Sequence, residues 1–124
     1  MTDTVQTQET TQLVDTYFEM WRATDDHGRA ELVRRAFADG GRHVDPLADA
    51  IGHAELAGML ANVHGAYPGF TIERTTGIDQ HGDQLRFGWR LDAADGTPVV
   101  VGLDVAELAA DGRFARIASF WGDL

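Results

Sequence analysis

Residues 99–121 read VVVGLDVAELAADGRFARIASFW, and this stretch constrains the fold more than any other. Two apolar runs of strand length flank Ala110-Asp111-Gly112, and an Asp-Gly pair between such runs is a strong hairpin signal. Along the first strand a period of two sends Val99, Val101, Leu103 and Val105 to one face and Val100, Gly102, Asp104, Ala106 and Leu108 to the other. Both faces are apolar, so both call for cover. Asp104 stands out among Val, Gly and Ala: in its charged form it loses hydration unless it gains a partner or a proton.

The chain has 124 residues, 44% of them hydrophobic, enough for one core. With 20 acidic and 10 basic side chains its formal net charge is −10, which repels phosphate backbones and anionic lipid, so neither nucleic acid nor a membrane is an expected partner. There is no cysteine. That excludes a disulfide framework and thiolate zinc sites, and it goes with a cytoplasmic location. No apolar run approaches the length of a spanning helix, and the polar start MTDTVQTQETTQ lacks the features of a signal peptide. His27, His43, His53, His64 and His81 show no metal-ligand spacing, and no P-loop, dinucleotide fingerprint or nucleophile elbow is present. No metal and no cofactor are expected.

In chain order, residues 1–10 are Thr/Gln-rich and read as a disordered tail, with one domain over 11–124. Leu13, Val14, Tyr17, Phe18 and Trp21 form one wide helical face over 11–23, pointing Tyr17 inward. Thr24-Asp25-Asp26 offers N-caps for a second helix from Gly28 to about Ala38, ended by Gly40-Gly41. A short strand, 42–45, follows, with Asp45 held extended by Pro46 and His43 on its face. A loop over 47–52 leads to a third helix, 53–65, with Leu56, Met59, Leu60 and Val63 as its stripe. Alternation then predicts strands at 70–79 and 85–91 before the hairpin. The pattern is α+β: three N-terminal helices on one face of a curved sheet that ends in a four-strand antiparallel meander. The apolar second face of the hairpin predicts a homodimer through the sheet.

The order of elements, the Asp45-Pro46 pair, Gly102-x-Asp104 and the closing D-G-R-x-x-x-I-x-x-F-W resemble the nuclear transport factor 2-like superfamily, which includes SnoaL-like polyketide cyclases and ketosteroid isomerases. The resemblance covers the chain from about Thr11. It implies a cystatin-like cone, a strongly bent, mostly antiparallel sheet around a deep apolar pocket. It also implies site positions: Tyr17 and a protonated Asp104 as hydrogen-bond donors to a substrate oxygen, and Asp45 as the group that moves the proton. Trp21, His43, Trp89, Val100 and Phe120 are expected to line the pocket. The third-strand His of many SnoaL-like cyclases is missing, its stretch reading Arg86-Phe87-Gly88-Trp89-Arg90. The Arg-x-Asp of the superfamily's epoxide hydrolases is present only as Arg90-Leu91-Asp92, with Asp92 at a turn.

The residues lead part of the way by themselves. Taking a proton from beside a carbonyl leaves an enolate, which preorganised donors in a dry site stabilise best. A carboxyl desolvated by Val100, Gly102 and Ala106 holds its proton, whereas one at a loop mouth stays ionised and basic. Each residue also has a structural reading: Tyr17 as a core tyrosine bonded to a carbonyl, Asp45 as a turn initiator, Asp104 as a partner for Arg116. The expected function is a cofactor-independent isomerase, cyclase or lyase acting on an apolar or aromatic carbonyl compound. The alternative is a ligand-binding or dimerisation module with Trp21 or Trp89 plugging the pocket.

Overall fold

The computed structural model describes residues 2–122, with side chains from residue 8 onward. Helix α1, Thr2–Arg22, buries Val14, Tyr17, Phe18 and Trp21 at spacings of three and four. The inward stripe continues one turn toward the N-terminus, where Thr10 is 5% exposed and its hydroxyl donates to Gln80 at 2.9 Å. The helix thus takes in residues expected as a tail, and at Thr10 the polar run meets the sheet. Met1 lies outside the described residues.

Helix α2, Asp26–Ala36, starts at N-cap Asp25, whose carboxylate accepts the Gly28 N–H. Buried Arg29 ties the α1–α2 corner, donating to the carbonyls of Ala23 and Thr24 and to Asp26. The helix ends at Ala36 and not at Gly40-Gly41, because Phe37 is already extended (φ −110°, ψ 137°) and pairs with Phe114. Strand β1, Phe37–Val44, follows at once, and its register shifts between Phe37 and Arg42 around Gly40 at φ +73°. After Asp45-Pro46 the chain folds back as β2, Asp49–Ile51, in what the sequence suggested was loop. Three residues are too few to show a period. Helix α3, His53–Ala66, then buries Leu56, Met59 and Leu60.

The remaining strands are β3, Thr71–Arg74; β4, Asp79–His81; β5, Gln84–Asp92; β6, Pro98–Leu108; and β7, Phe114–Trp121. The single strand expected at 70–79 is broken in two. Between β3 and β4 the chain wraps Gly88 of β5, whose N–H donates to the Thr76 hydroxyl at 2.8 Å while its carbonyl accepts the Thr75 N–H at 2.9 Å.

The sheet has seven strands in the order β2-β1-β7-β6-β5-β3, with β4 also beside β5. The meander is thus extended by β1 and β2, and β1 lies parallel to β7 while every other pair is antiparallel. A parallel pairing joins distant segments and has no local signature. The core centres on Tyr17, whose ring meets Phe18, Phe37, Phe87 and Phe114 at centroid distances of 5.6–6.3 Å. Among the described residues no helix is long and apolar enough to cross a membrane. Three helices on a mixed, curved sheet make the expected α+β cone.

Candidate functional site

Between the sheet and the helices lies a cavity of about 710 Å³. Its walls are mainly apolar, from Trp21, Met59, Val63, Ile72, Leu91, Val100 and Trp121, and exposed Leu47 and Tyr67 stand at its mouth.

One polar group of the lining gathers on Asp104. In the middle of β6 this residue faces Phe87 on one neighbouring strand and Ser119 on the other, and it is buried. Tyr17 Oη lies 2.7 Å from its Oδ2, and Trp89 Nε1 donates to its Oδ1 at 2.8 Å. Trp89 reaches it because Gly102, its cross-strand partner, has no side chain. A Cβ at residue 102 would stand 2.5 Å from the indole and 2.8 Å from the Phe120 carbonyl. The glycine in Gly102-x-Asp104 is therefore a seat for the tryptophan that binds the aspartate. Burial holds the Asp104 carboxyl above the usual carboxylate range, outweighing the hydrogen bonds of Ser119, Tyr17 and Trp89 and the nearby His43. Burial, followed by the charge and hydrogen bond of Asp104, pushes the Tyr17 phenol well above its ordinary value. The phenol keeps its proton.

A second polar group forms where β1 runs into the Asp45-Pro46 turn. Asp45 Oδ1 accepts the N–H groups of Leu47 and Ala48, each at 2.8 Å, and Oδ2 lies 3.1 Å from His43 Nε2. Burial works to raise this carboxyl, but the His43 hydrogen bond, the two backbone donors and the charge of His43 together hold it below the usual range. An ionised Asp45 accepts from every one of these partners, His43 Nε2–H included. His43 is buried, its ring in edge contact with Trp21 at 5.8 Å, and its Nδ1 has no hydrogen-bond partner. Leaving such an atom unmatched costs about 1–3 kcal/mol. Trp21 Nε1 is also without a partner in hydrogen-bond geometry, although it stands near enough to Tyr17 to oppose the rise of the phenol slightly.

Tyr17, Trp21, His43, Asp45, Trp89, Val100 and Asp104 all line this cavity. Phe120 does not. It is 50% exposed, on the opposite side of the sheet, because its cross-strand partner is outward-facing Leu103. Trp121 takes the inward place, with Ser119 before it. Both were overlooked, and counting by twos from buried Ile117 would have found them. Arg116 stands opposite Glu107, so Asp104 does not depend on it. Asp45 fulfils its turn-initiating reading and lies in the cavity as well. Arg90 and Asp92 pair with each other at 3.2 Å, away from the cavity lining.

No family model and no curated protein matches the sequence. Solved structures do match. An NTF2-like protein from Exiguobacterium sp. 255-15 is 24% identical, with a TM-score of 0.72 over 90% of this chain and 99% of that one. A protein named as a SnoaL-like polyketide cyclase, from Jannaschia sp. CCS1, is 20% identical, with a TM-score of 0.75 over 92% of this chain and 85% of that one. At those identities the likeness speaks for the fold. A protein named as an isomerase of the SnoaL-like family, from Agrobacterium tumefaciens str. C58, is 32% identical, with a TM-score of 0.87 over 94% of this chain and 99% of that one. With sequence identity and shape agreeing over nearly the whole of both molecules, this chain belongs to the SnoaL-like family.

Proposed function

We propose that the protein is a cofactor-independent acid/base enzyme, an isomerase, cyclase or lyase, that shifts a proton on an apolar carbonyl compound. The observation that carries this reading is that Tyr17, Asp104 and Asp45 meet in one open, mainly apolar cavity of about 710 Å³. Trp21 and Trp89 stand in its walls and do not plug it, which favours an enzyme over a closed interaction module. The lining has no arginine, and all ten Lys/Arg positions of the chain are arginine, so lysine imine chemistry is excluded and nothing in the lining pairs with an anionic ligand.

The division of labour follows the surroundings of the two carboxyls. The Tyr17 O–H donates to Oδ2 of Asp104, and a protonated Asp104 has its own O–H to donate to a substrate carbonyl. Trp89 fixes the other oxygen of Asp104. Negative charge developing on the substrate oxygen meets a donor that needs no reorganisation. The base sits in the Asp45–His43 couple, where Asp45 keeps its charge.

The test is a thermal-shift screen against steroids, aromatic polyketides, phenols and small carbonyl compounds, followed by a turnover assay on the hits. A ligand that binds only the native state raises the melting temperature. A hit weakened by Asp104→Ala and Tyr17→Phe is the expected result. Asp45→Ala is expected to lower turnover about 100-fold or more while leaving affinity largely intact. A silent screen would sink the enzyme reading in favour of an interaction module, and turnover indifferent to Asp45 would remove that residue as the base.

The same reading includes a homodimer through the outer face of the sheet. There Val101, Leu103 and Val105 lie beside Phe120 and Ala118, and Arg86, Arg90 and Arg116 flank them in the register. A second copy fits best, because a two-fold contact lays this apolar row against itself. The absence of cysteine goes with a cytoplasmic setting.

A further inference from the structure

We infer that Asn62 is the specificity-determining residue at the outer end of the cavity, where its side-chain amide takes a neutral hydroxyl or keto oxygen. The ligand is then an apolar carbonyl compound with a second, uncharged oxygen at the end remote from its reacting carbonyl. The inference rests on the acid/base reading above and deepens it by naming the substrate class.

Helix α3 lines the cavity with two stripes. Met59 and Val63 are the covered one, while Glu55, Gly58, Asn62 and Ala66, spaced by three and four, form an exposed lip. A helical side chain leans back over the turn before it, so the Asn62 amide reaches toward Gly58. A Cβ at residue 58 would meet no atom within 4 Å, and Gly58 is not among the glycines with positive φ. Neither packing nor backbone conformation calls for a glycine there, and glycine weakens a helix relative to alanine. What the missing side chain does is leave room for a ligand beside Asn62.

The charges around the lip set what that ligand is. Asp49 accepts from Arg42 at 2.7 and 2.8 Å, and Glu55 accepts the Ile51 N–H at 3.0 Å. Arg42 balances Asp49, but Glu55 and the ionised Asp45 have no arginine in the lining to balance them. An acid or a phosphate ester entering here meets like charge. Asn62 is uncharged and offers both a donor and an acceptor, which suits an alcohol or a ketone. At the inner end the reacting carbonyl meets Asp104 and Tyr17. Two oxygens on an apolar body, one for each end, fix the direction in which the ligand lies and so the carbon it turns toward Asp45.

The probes are 2-tetralone and 4-phenylcyclohexanone, ketones of two lengths; their hydroxyl derivatives, 6-hydroxy-2-tetralone and 4-(4-hydroxyphenyl)cyclohexanone; and one acid, 4-(4-oxocyclohexyl)benzoic acid. Calorimetry reads binding, and deuterium uptake beside the carbonyl in D2O, followed by NMR, reads proton transfer. At one length or both, the wild type is expected to bind the hydroxy ketone about 3- to 10-fold tighter than its parent, the worth of one hydrogen bond. The acid is expected to bind at least about 10-fold more weakly than its parent ketone. Asn62→Leu is expected to abolish the preference for the hydroxyl while still binding the parents, and Tyr67→Phe, at the end of the same helix, to keep it. Asn62→Arg is expected to admit the acid. Gly58→Leu is expected to melt no lower than wild type, because leucine favours the helix, yet to bind the hydroxy ketones at least about 10-fold more weakly.

No preference at either length, a preference that survives Asn62→Leu or vanishes in Tyr67→Phe, an acid still refused by Asn62→Arg, or full binding by Gly58→Leu would each overturn the inference alone. A preference that depends on Asn62 without any deuterium uptake would support the role of Asn62 and sink the enzyme reading. A wild type that binds none of the ketones would remove the apolar-carbonyl reading and this inference with it.

Discussion

Asp104 draws its donors from the side chains of Tyr17 and Trp89, deep in the cone, whereas Asp45 draws most of its donors from backbone amides at a turn. Their carboxyls are accordingly shifted in opposite directions, Asp104 upward and Asp45 downward. The stability each contributes has opposite pH dependence. A raised folded-state pKa contributes stability that is full below the unfolded pKa and is lost as pH rises through the folded value; a lowered one contributes stability that is present above the unfolded pKa and is lost as pH falls through the folded value. Asp104→Asn is therefore expected to gain in melting temperature relative to wild type as pH increases from about 4, the ordinary carboxylate value, to 8. Asp45→Asn is expected to lose most relative to wild type near neutrality and least in acid. Melting curves of the three proteins across that range check both. Asp104 was legible in the sequence because a lone carboxyl among Val, Gly and Ala has few solutions. The engagement of Asp45 with His43 was half legible: their shared face follows from the period of two, but the bonds from Leu47 and Ala48 depend on how the turn closes.

At the level of elements, the β5–β6 pair shows what alternation reveals and what it hides. Leu85, Phe87, Trp89 and Leu91 recur at a period of two within the strand expected at 85–91, and all four are buried. The pairing of Trp89 with Gly102 needs the register, which is fixed only when the strands meet. That pairing makes Gly102→Ala a sharp probe. The added methyl group drives the indole off β6 and breaks its bond to Asp104, with an expected loss of about 1–3 kcal/mol, measurable by urea denaturation. A variant as stable as wild type would mean that Trp89 repacks freely and does not anchor the carboxyl. Strands β1 and β2 were the poorest reading, for physical reasons. β2 is three residues long, and β1 carries Gly40-Gly41, which locally resembles a helix stop.

For the whole molecule, the outer sheet face is where the predicted dimer is tested. Phe120 is 50% and Val101 39% exposed there. Light scattering on the wild type is expected to give twice the 13.5 kDa chain mass, and Phe120→Glu a single chain mass with the cavity ligand still bound. A wild-type monomer would refute the dimer without touching the site. The seam between β1 and β7 has a further consequence, one of time. His43 belongs to β1, Asp45 directly follows it, and Asp104 lies on β6, so β7 is the strand that brings the two sides together. Tyr17 and Asp104 are 87 positions apart, and contacts of that span form slowly. While the chain is being synthesised, each half of the cavity waits for the other. The cavity is a late product of folding, and a weakened β7 delays its appearance before it alters its shape.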